Sequence, residues 1–169
     1  MVPSSTQALA KQVLQAAHRL GLKIAIAESL TGGLVNASLS AIPGASHVLL
    51  GGVVAYQDLV KSSALGVPAA LLENLGAVDS AVARKMAEGV RKSFAGHCGI
   101  SDELVVGLAT TGVAGPDAIE GKPVGTVFIG LHASGHQTTR ELSLTGSREQ
   151  IREQTVDAVL QMFLEQFQA

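Results

Sequence analysis

Lys23-Ile-Ala-Ile-Ala-Glu-Ser-Leu-Thr-Gly-Gly33 is the stretch on which the reading of the fold turns. Residues 23–27 form a short, nearly all-apolar run, the pattern of a strand covered on both faces. Glu28-Ser-Leu-Thr-Gly-Gly33 follows directly, and a helix is predicted from Gly32 to about Ser40. The element delivers a hydroxyl to a tight turn at a helix start. Helix N-termini leave backbone N–H groups unpaired and carry a positive partial charge, so such a turn can bind a phosphate or stabilise an oxyanion. The plainer reading is that Ser29 or Thr31 caps the helix while Gly32 and Gly33 make room for packing.

Upstream, residues 6–20 set Leu9, Val13, Ala17 and Leu20 on one helical face, with Ser5 or Thr6 as cap and Gly21 as stop. Downstream, Pro43-Gly44 marks a turn, residues 48–56 read as a second apolar strand, and Asp58 is a candidate cap for a short helix to Ala64. Pro68 can open a helix of a turn or two. Residues 79–95 give the clearest helix, with Val82, Met86, Val90 and Phe94 at every fourth position and Gly96 as its end. Residues 104–109 read as a third strand that runs into a turn-rich segment, 110–122. Residues 124–131 and 138–144 form a hairpin around Ser134-Gly135, the second arm more polar and so an edge or one-sided strand. Residues 147–167 close the chain as a long helix burying Ile151, Val159, Met162 and Phe163. Strands alternate with helices early and pair late, which argues for an α/β fold with helices on both faces of a mixed sheet. No repeat, linker or low-complexity tract divides the chain, so one domain over residues 1–169 is expected.

Composition narrows the function classes. Hydrophobic residues are 47% and charged residues 15%, with aromatics at 3% and no Trp; this is a core-rich chain and disorder is not expected. A net charge of −2 with no basic stripe, and too few aromatics for a stacking platform, argue against nucleic acid as a partner. Cys98 is the single cysteine, so no intrachain disulfide is available and a reducing compartment fits. Met1 is followed by Val-Pro-Ser-Ser-Thr rather than a leader pattern, and the longest apolar run falls far short of the ~20 residues of a membrane helix. A cytoplasmic location without membrane contact is the expectation. Apolar surface on so small a domain makes a homo-oligomer the expected state.

A serine nucleophile needs a base. His18, His47, His97, His132 and His136 fall at predicted element ends and loops, in neither triad context nor metal-ligand spacing, so no metal is expected. Lys61 is the other candidate: Tyr56-Gln-Asp-Leu-Val-Lys61 leaves the second strand directly, and strand carboxyl ends line the functional crevice of doubly wound sheets. A desolvated lysine there could serve as base, whereas a lone lysine on a short helix is ordinarily a solvated surface residue. Thr110-Thr-Gly-Val-Ala-Gly-Pro-Asp117 and Lys122-Pro-Val-Gly-Thr126 suit a loop that wraps a polar ligand, with Thr111 set to donate; an ordinary turn-rich connection reads the same way. Arg148 in the first turn of the last helix opposes the helix dipole, which is sensible where an anion sits, although a plain exposed arginine is commoner.

Taken in order, AESLTGG (27–33), GGVVAY with Lys61, TTGVAGP (110–116), KPVGTV (122–127) and TGSREQIR (145–152) resemble the CinA C-terminal domain family over residues 6–167. The family's characterised activity is that of a nicotinamide-nucleotide amidohydrolase (NMN deamidase, PncC type). The resemblance implies a three-layer α/β/α sandwich with a mixed, mostly parallel sheet. It implies hydrolysis of the carboxamide of nicotinamide mononucleotide (NMN) to nicotinic acid mononucleotide and ammonia, with a pyridine mononucleotide as substrate and no cofactor. Carried over, Ser29 attacks the amide carbon, Lys61 accepts its proton and Tyr56 assists. Backbone N–H groups within Leu30, Thr31, Gly32 and Gly33 are assigned to the oxyanion on physical grounds, and Thr111, Gly112 and Arg148 to the nucleotide. The chain departs from the family at Leu30, usually Cys; at Gln57-Asp58, usually Ser-Asn; and at Asp117-Ala-Ile-Glu120, where extra glycines are usual. Asp58 either holds Lys61 as an ammonium, weakening it as a base, or caps its helix and faces away. Two rival readings stand: a non-catalytic nucleotide-binding or regulatory module on the same scaffold, and an amidase for another small phosphorylated amide.

Overall fold

Alternation along the first strand, β1 (Lys23–Glu28), separates two cores. The computed structural model describes residues 3–167, so the leader reading made at Met1 and Val2 lies outside the described residues. Ile24 and Ile26 point to one face, in a cluster with Val13 and Ala17 of α1 (Ser4–Arg19), Leu39 of α2 (Leu34–Ser40) and Ile151 and Phe163 of α6 (Arg148–Phe167). Ala25 and Ala27 point to the other. They cluster with Leu65 of α3 (Asp58–Leu65), Leu72 of α4 (Ala69–Leu75) and Val82, Met86 and Val90 of α5 (Ser80–Cys98). The result is three layers, α/β/α. Truncating a buried Ile of the first face to Ala would cost about 2–5 kcal/mol.

The sheet has five strands in the order β2-β1-β3-β4-β5, with β2 at Leu49–Val54, β3 at Val105–Gly112, β4 at Thr126–Ala133 and β5 at His136–Ser143. β1 pairs in parallel with β2 and β3, while β3–β4 and β4–β5 are antiparallel, so only β4 runs against the rest. The sheet is mixed and mostly parallel in strand direction, as the resemblance implies. Its two faces use different residues. Branched side chains fill the α1/α6 face, whereas Ala25, Ala27, Gly107, Ala109 and Gly130 line the α5 face. A Cβ at Gly107 would meet the Ala87 carbonyl at 2.0 Å, so the α5 backbone lies directly on the strands. That close approach is how a chain so poor in aromatics fills a core.

Several expectations need correction. α5 continues through Gly96 to Cys98, because Gly99, at φ 62°, supplies the left-handed cap that Gly96 was expected to give. Leu20 is 46% exposed rather than on the buried face. Thr6 does not cap α1; it is buried and donates to Asp157 Oδ1 of α6 at 2.5 Å, tying the first helix to the last. Residues 110–112 belong to β3 and not to the following turns.

The chain leaves β1 for β2 on one side and then crosses to β3 on the other. α2 covers one face on the way and α3 to α5 the other. The carboxyl ends of β1 and β3 therefore flank a topological switch point, where α/β sheets leave a crevice.

Candidate active site

β1 ends at Glu28, and Ser29 begins the turn that leads into α2. Glu28 is fully buried, and its carboxylate accepts from Gly33 N–H (2.9 Å), Val35 N–H (3.1 Å), Asn36 N–H (2.9 Å) and Asn36 Nδ2 (2.8 Å). A carboxylate thus caps α2, in place of the Ser29 or Thr31 hydroxyl that the plainer sequence reading offered. Thr31 instead shares a hydrogen bond with Thr110 Oγ1 at 2.8 Å, within the layer between turn and β3. Ser29 N–H donates to Thr110 O at 2.9 Å and Gly32 N–H to Ser29 O at 3.1 Å. Of the oxyanion candidates, Gly32 and Gly33 therefore have engaged amides. From Ser29 to Asn36, only the amides of Leu30 and Thr31 donate to no group among the described residues.

Ser29, Leu30, Tyr56, Lys61, Thr111, Gly112 and Arg148 all line one cleft of about 330 Å³ at the carboxyl ends of β1, β2 and β3. Asp58, Ile119 and Glu120 complete its rim. Lys61 is the largest side chain buried to this degree, at 1% exposure. Its Nζ donates to Asp58 Oδ1 at 3.1 Å and, at the long end of the range, to Tyr56 O at 3.5 Å. Asp58 is the first residue of α3, Gln57 holds the cap position, and the carboxylate turns toward Lys61 rather than away from it. Ser29 Oγ has no hydrogen-bond partner among the described residues. The two groups share a cleft without sharing a bond, a looseness common in unliganded sites.

Tyr56 is 54% exposed, and its hydroxyl accepts from Arg148 Nη2 at 2.9 Å, while Arg148 Nη1 donates to Gly115 O. The guanidinium at the start of α6 thereby bridges the end of β2 to the loop after β3. Thr111 is buried and its hydroxyl donates to Ala77 O at 2.7 Å, so the expected donor is already used and only its lone pairs remain for a ligand. Gly112 pairs with Val127 in the β3–β4 ladder.

Three side chains that were not among the candidate site residues border the cleft or brace the segments around it. Arg152 donates from Nε to Leu30 O (3.0 Å) and from Nη2 to Thr31 O (2.8 Å). Glu120, the one non-glycine described with positive φ (54°), accepts from Ala77 N–H at 3.2 Å. Lys122 donates to Leu75 O at 3.3 Å and to Val78 O, so the 117–122 turn is latched to the segment after α4. No histidine lines this cleft. His132 lies on β4, where burial, helped by the Arg91 guanidinium, holds its ring below the ordinary histidine range. Among the described residues no group of three or more His, Cys, Asp or Glu could hold a metal ion, and no helix is long and apolar enough to cross a membrane. A larger hollow of about 490 Å³, lined by Lys11, His18 and His47, lies at the amino-terminal end of the strands and holds none of these cleft residues.

Residues 6–167 match the family model described as the CinA C-terminal domain. The chain belongs to that family. It is 46% identical over 139 residues to a CinA-like protein of Frankia casuarinae, covering 82% of this chain and 30% of that protein. A CinA-like protein of Dictyoglomus turgidum is 44% identical over 134 residues, with 78% and 30% covered. The chain spans about a third of the length of the curated relatives it matches. Among solved structures, the competence/damage inducible protein CihA from Agrobacterium tumefaciens superposes with a TM-score of 0.88 at 32% identity, covering 98% of this chain and 97% of that one. A CinA superfamily protein from Escherichia coli gives 0.82 at 28% identity, covering 98% and 90%. The three layers and the mixed sheet are thus those of the family.

Proposed function

We propose that this chain, acting as a single domain, hydrolyses the carboxamide of NMN to nicotinic acid mononucleotide and ammonia, with Ser29 as nucleophile and Lys61 as base. The observation that carries the reading is the shared cleft: Ser29, Tyr56 and Lys61 face one cavity at the strand carboxyl ends, with Lys61 only 1% exposed. A buried amine and an unbonded serine hydroxyl facing one cavity are the pair that a serine nucleophile with a lysine base requires.

The chemistry follows from that set. Ser29 Oγ adds to the amide carbon as its proton passes to the Lys61 amine, helped by the Tyr56 hydroxyl. The carbonyl oxygen becomes an oxyanion, and the unpaired Leu30 and Thr31 amides are the donors nearest the nucleophile in sequence. Collapse breaks the C–N bond, and the Lys61 ammonium returns its proton to the leaving nitrogen, which departs as ammonia. Water then attacks the Ser29 ester as Lys61 accepts its proton; the acyl–oxygen bond breaks, Lys61 returns the proton to Ser29 Oγ, and the acid leaves and ionises to the carboxylate. Arg148 supplies a guanidinium for the phosphate, once its contacts with Tyr56 and Gly115 give way. Asp58 and Glu120 put carboxylates on the rim, which suits the positive pyridinium ring of NMN.

The Lys61–Asp58 pair favours a second reading, a nucleotide-binding module without turnover, because the amine is held on a carboxylate and not on Ser29. Ammonia release separates the two. Turnover of NMN, lost in folded Ser29→Ala and Lys61→Ala variants, supports the amidohydrolase; a folded parent that binds NMN without releasing ammonia supports the module. Nicotinamide riboside and free nicotinamide, run alongside, report whether the phosphate is read, and another phosphorylated amide turning over faster than NMN would redirect the substrate assignment.

A further inference from the structure

We infer that Arg152 is a positioning residue for the nucleophile turn, orienting the Leu30 and Thr31 N–H groups toward the developing oxyanion. The inference rests on the reading of Ser29 as nucleophile. Arg152 lies one turn into α6, outside the residues that line the cleft, and reaches back across the chain to two successive carbonyls, Leu30 O at 3.0 Å and Thr31 O at 2.8 Å.

A trans peptide is planar, so its C=O and its N–H point in opposite directions. Holding Leu30 O on the guanidinium aims the Thr31 N–H to the far side. Holding Thr31 O likewise aims the Gly32 N–H away, and that N–H meets Ser29 O at 3.1 Å. Ser29 O shares its plane with the Leu30 N–H, which is fixed in turn. One guanidinium and one turn bond therefore lock the three peptide planes that follow the nucleophile. Glu28 locks the next residues from below, through Gly33, Val35 and Asn36. From Ser29 to Asn36 only the Leu30 and Thr31 amides donate to no group among the described residues; Leu30 lines the cleft and Thr31 follows it. Amides left unpaired in a turn whose other amides are engaged are seldom accidental, and these two directly follow the nucleophile in sequence. Arginine suits the task because its rigid fork grips two carbonyls at once, whereas a lysine ammonium grips from one point. Gly32 leaves space for it: a Cβ there would come within 3.3 Å of Arg152 Nη2.

The test uses Arg152→Ala and Arg152→Lys in the full chain, with folding checked by thermal melting. The expected result is a kcat for NMN lowered about 10²-fold in Arg152→Ala, the scale of losing one oxyanion donor, with KM within a factor of about three and partial rescue by added guanidinium ion. Arg152→Lys is expected to fall between parent and Arg152→Ala. A folded Arg152→Ala with parental kcat, or a loss carried by KM alone, overturns the inference. Backbone ¹⁵N order parameters decide it independently of turnover. Loss of order confined to residues 30–32 in either variant supports it, and unchanged order there overturns it, even if the parent proves inactive on NMN and the amidohydrolase reading falls.

Discussion

Ser29 and Lys61 face the same cleft, yet the turn that carries the first and the helix that carries the second are held in unlike ways. The turn is gripped from two sides, locally by the fully buried Glu28 carboxylate and from across the chain by the Arg152 guanidinium, and most of its amides are engaged. Lys61 sits on an eight-residue helix, and its ammonium is held by a 52% exposed Asp58 and a distant carbonyl. One half of the cleft is fixed before any ligand arrives. The other half rests on one ion pair, a buried ammonium on a half-exposed carboxylate, and is braced by no second side chain among the described residues. That division suits the proposed mechanism, in which oxyanion donors stay still while a lysine moves between a carboxylate and a serine.

The largest effects are expected where the two halves meet. Ser29→Ala and Lys61→Met should each lower kcat at least ~10³-fold in steady-state ammonia release. Lys61→Met should leave the melting temperature nearly unchanged, because an apolar chain of similar volume replaces a buried ammonium. Next comes the gripped half itself. Glu28→Gln confronts an amide NH₂ with backbone donors and should cost about 2–4 kcal/mol in urea unfolding; a loss below 1 kcal/mol would mean the turn is not held as described. Arg148→Ala should raise KM for NMN about 10- to 100-fold with kcat little changed, if the guanidinium reads the phosphate. In the other half, Asp58→Asn leaves the buried Lys61 ammonium with a neutral acceptor and should cost about 1–3 kcal/mol of stability. It should raise kcat/KM roughly three- to tenfold, because a neutral amide holds the amine less tightly than a carboxylate does, and a fall instead would make Asp58 a working part of the site.

The smallest effect belongs to neither half. Glu88 on α5 is held down to about 2 by hydrogen bonds from Lys85 and Lys92. A depressed carboxylate stabilises the fold above its unfolded value of 4.5 and loses that contribution as the pH falls toward about 2. Glu88→Gln should therefore destabilise by less than ~1 kcal/mol at neutral pH, with the difference vanishing across that acid window in pH-dependent melts.

Local patterns carried most of the fold. The apolar run at 23–27, the fourfold spacing of Val82, Met86 and Val90, and the turn at Ser134-Gly135 are readable because neighbours in sequence settle them. The strand order is harder to reach from spacing alone, since the β1–β3 pairing spans the whole of α3 to α5. The candidate residues that share the cleft were recognisable as residue types at strand ends. Their partners were not. Arg152 meets Leu30 across 122 positions, and Glu120 meets Ala77 across 43, so no local pattern announces either contact. Glu28 was hidden differently: a carboxylate at the end of an apolar strand reads as a boundary until the helix it caps is folded over it. Asp58 was visible, but whether it faced Lys61 depended on a side-chain orientation that spacing leaves open.

The most direct test of the central claim is rapid-quench mass spectrometry of the protein mixed with NMN, followed by digestion. A nicotinoyl-nucleotide ester on the peptide that contains Ser29, forming and decaying within the turnover time and absent in Ser29→Ala, is the result this account predicts. Steady ammonia release with no adduct on that peptide, and undiminished in Ser29→Ala, would contradict it.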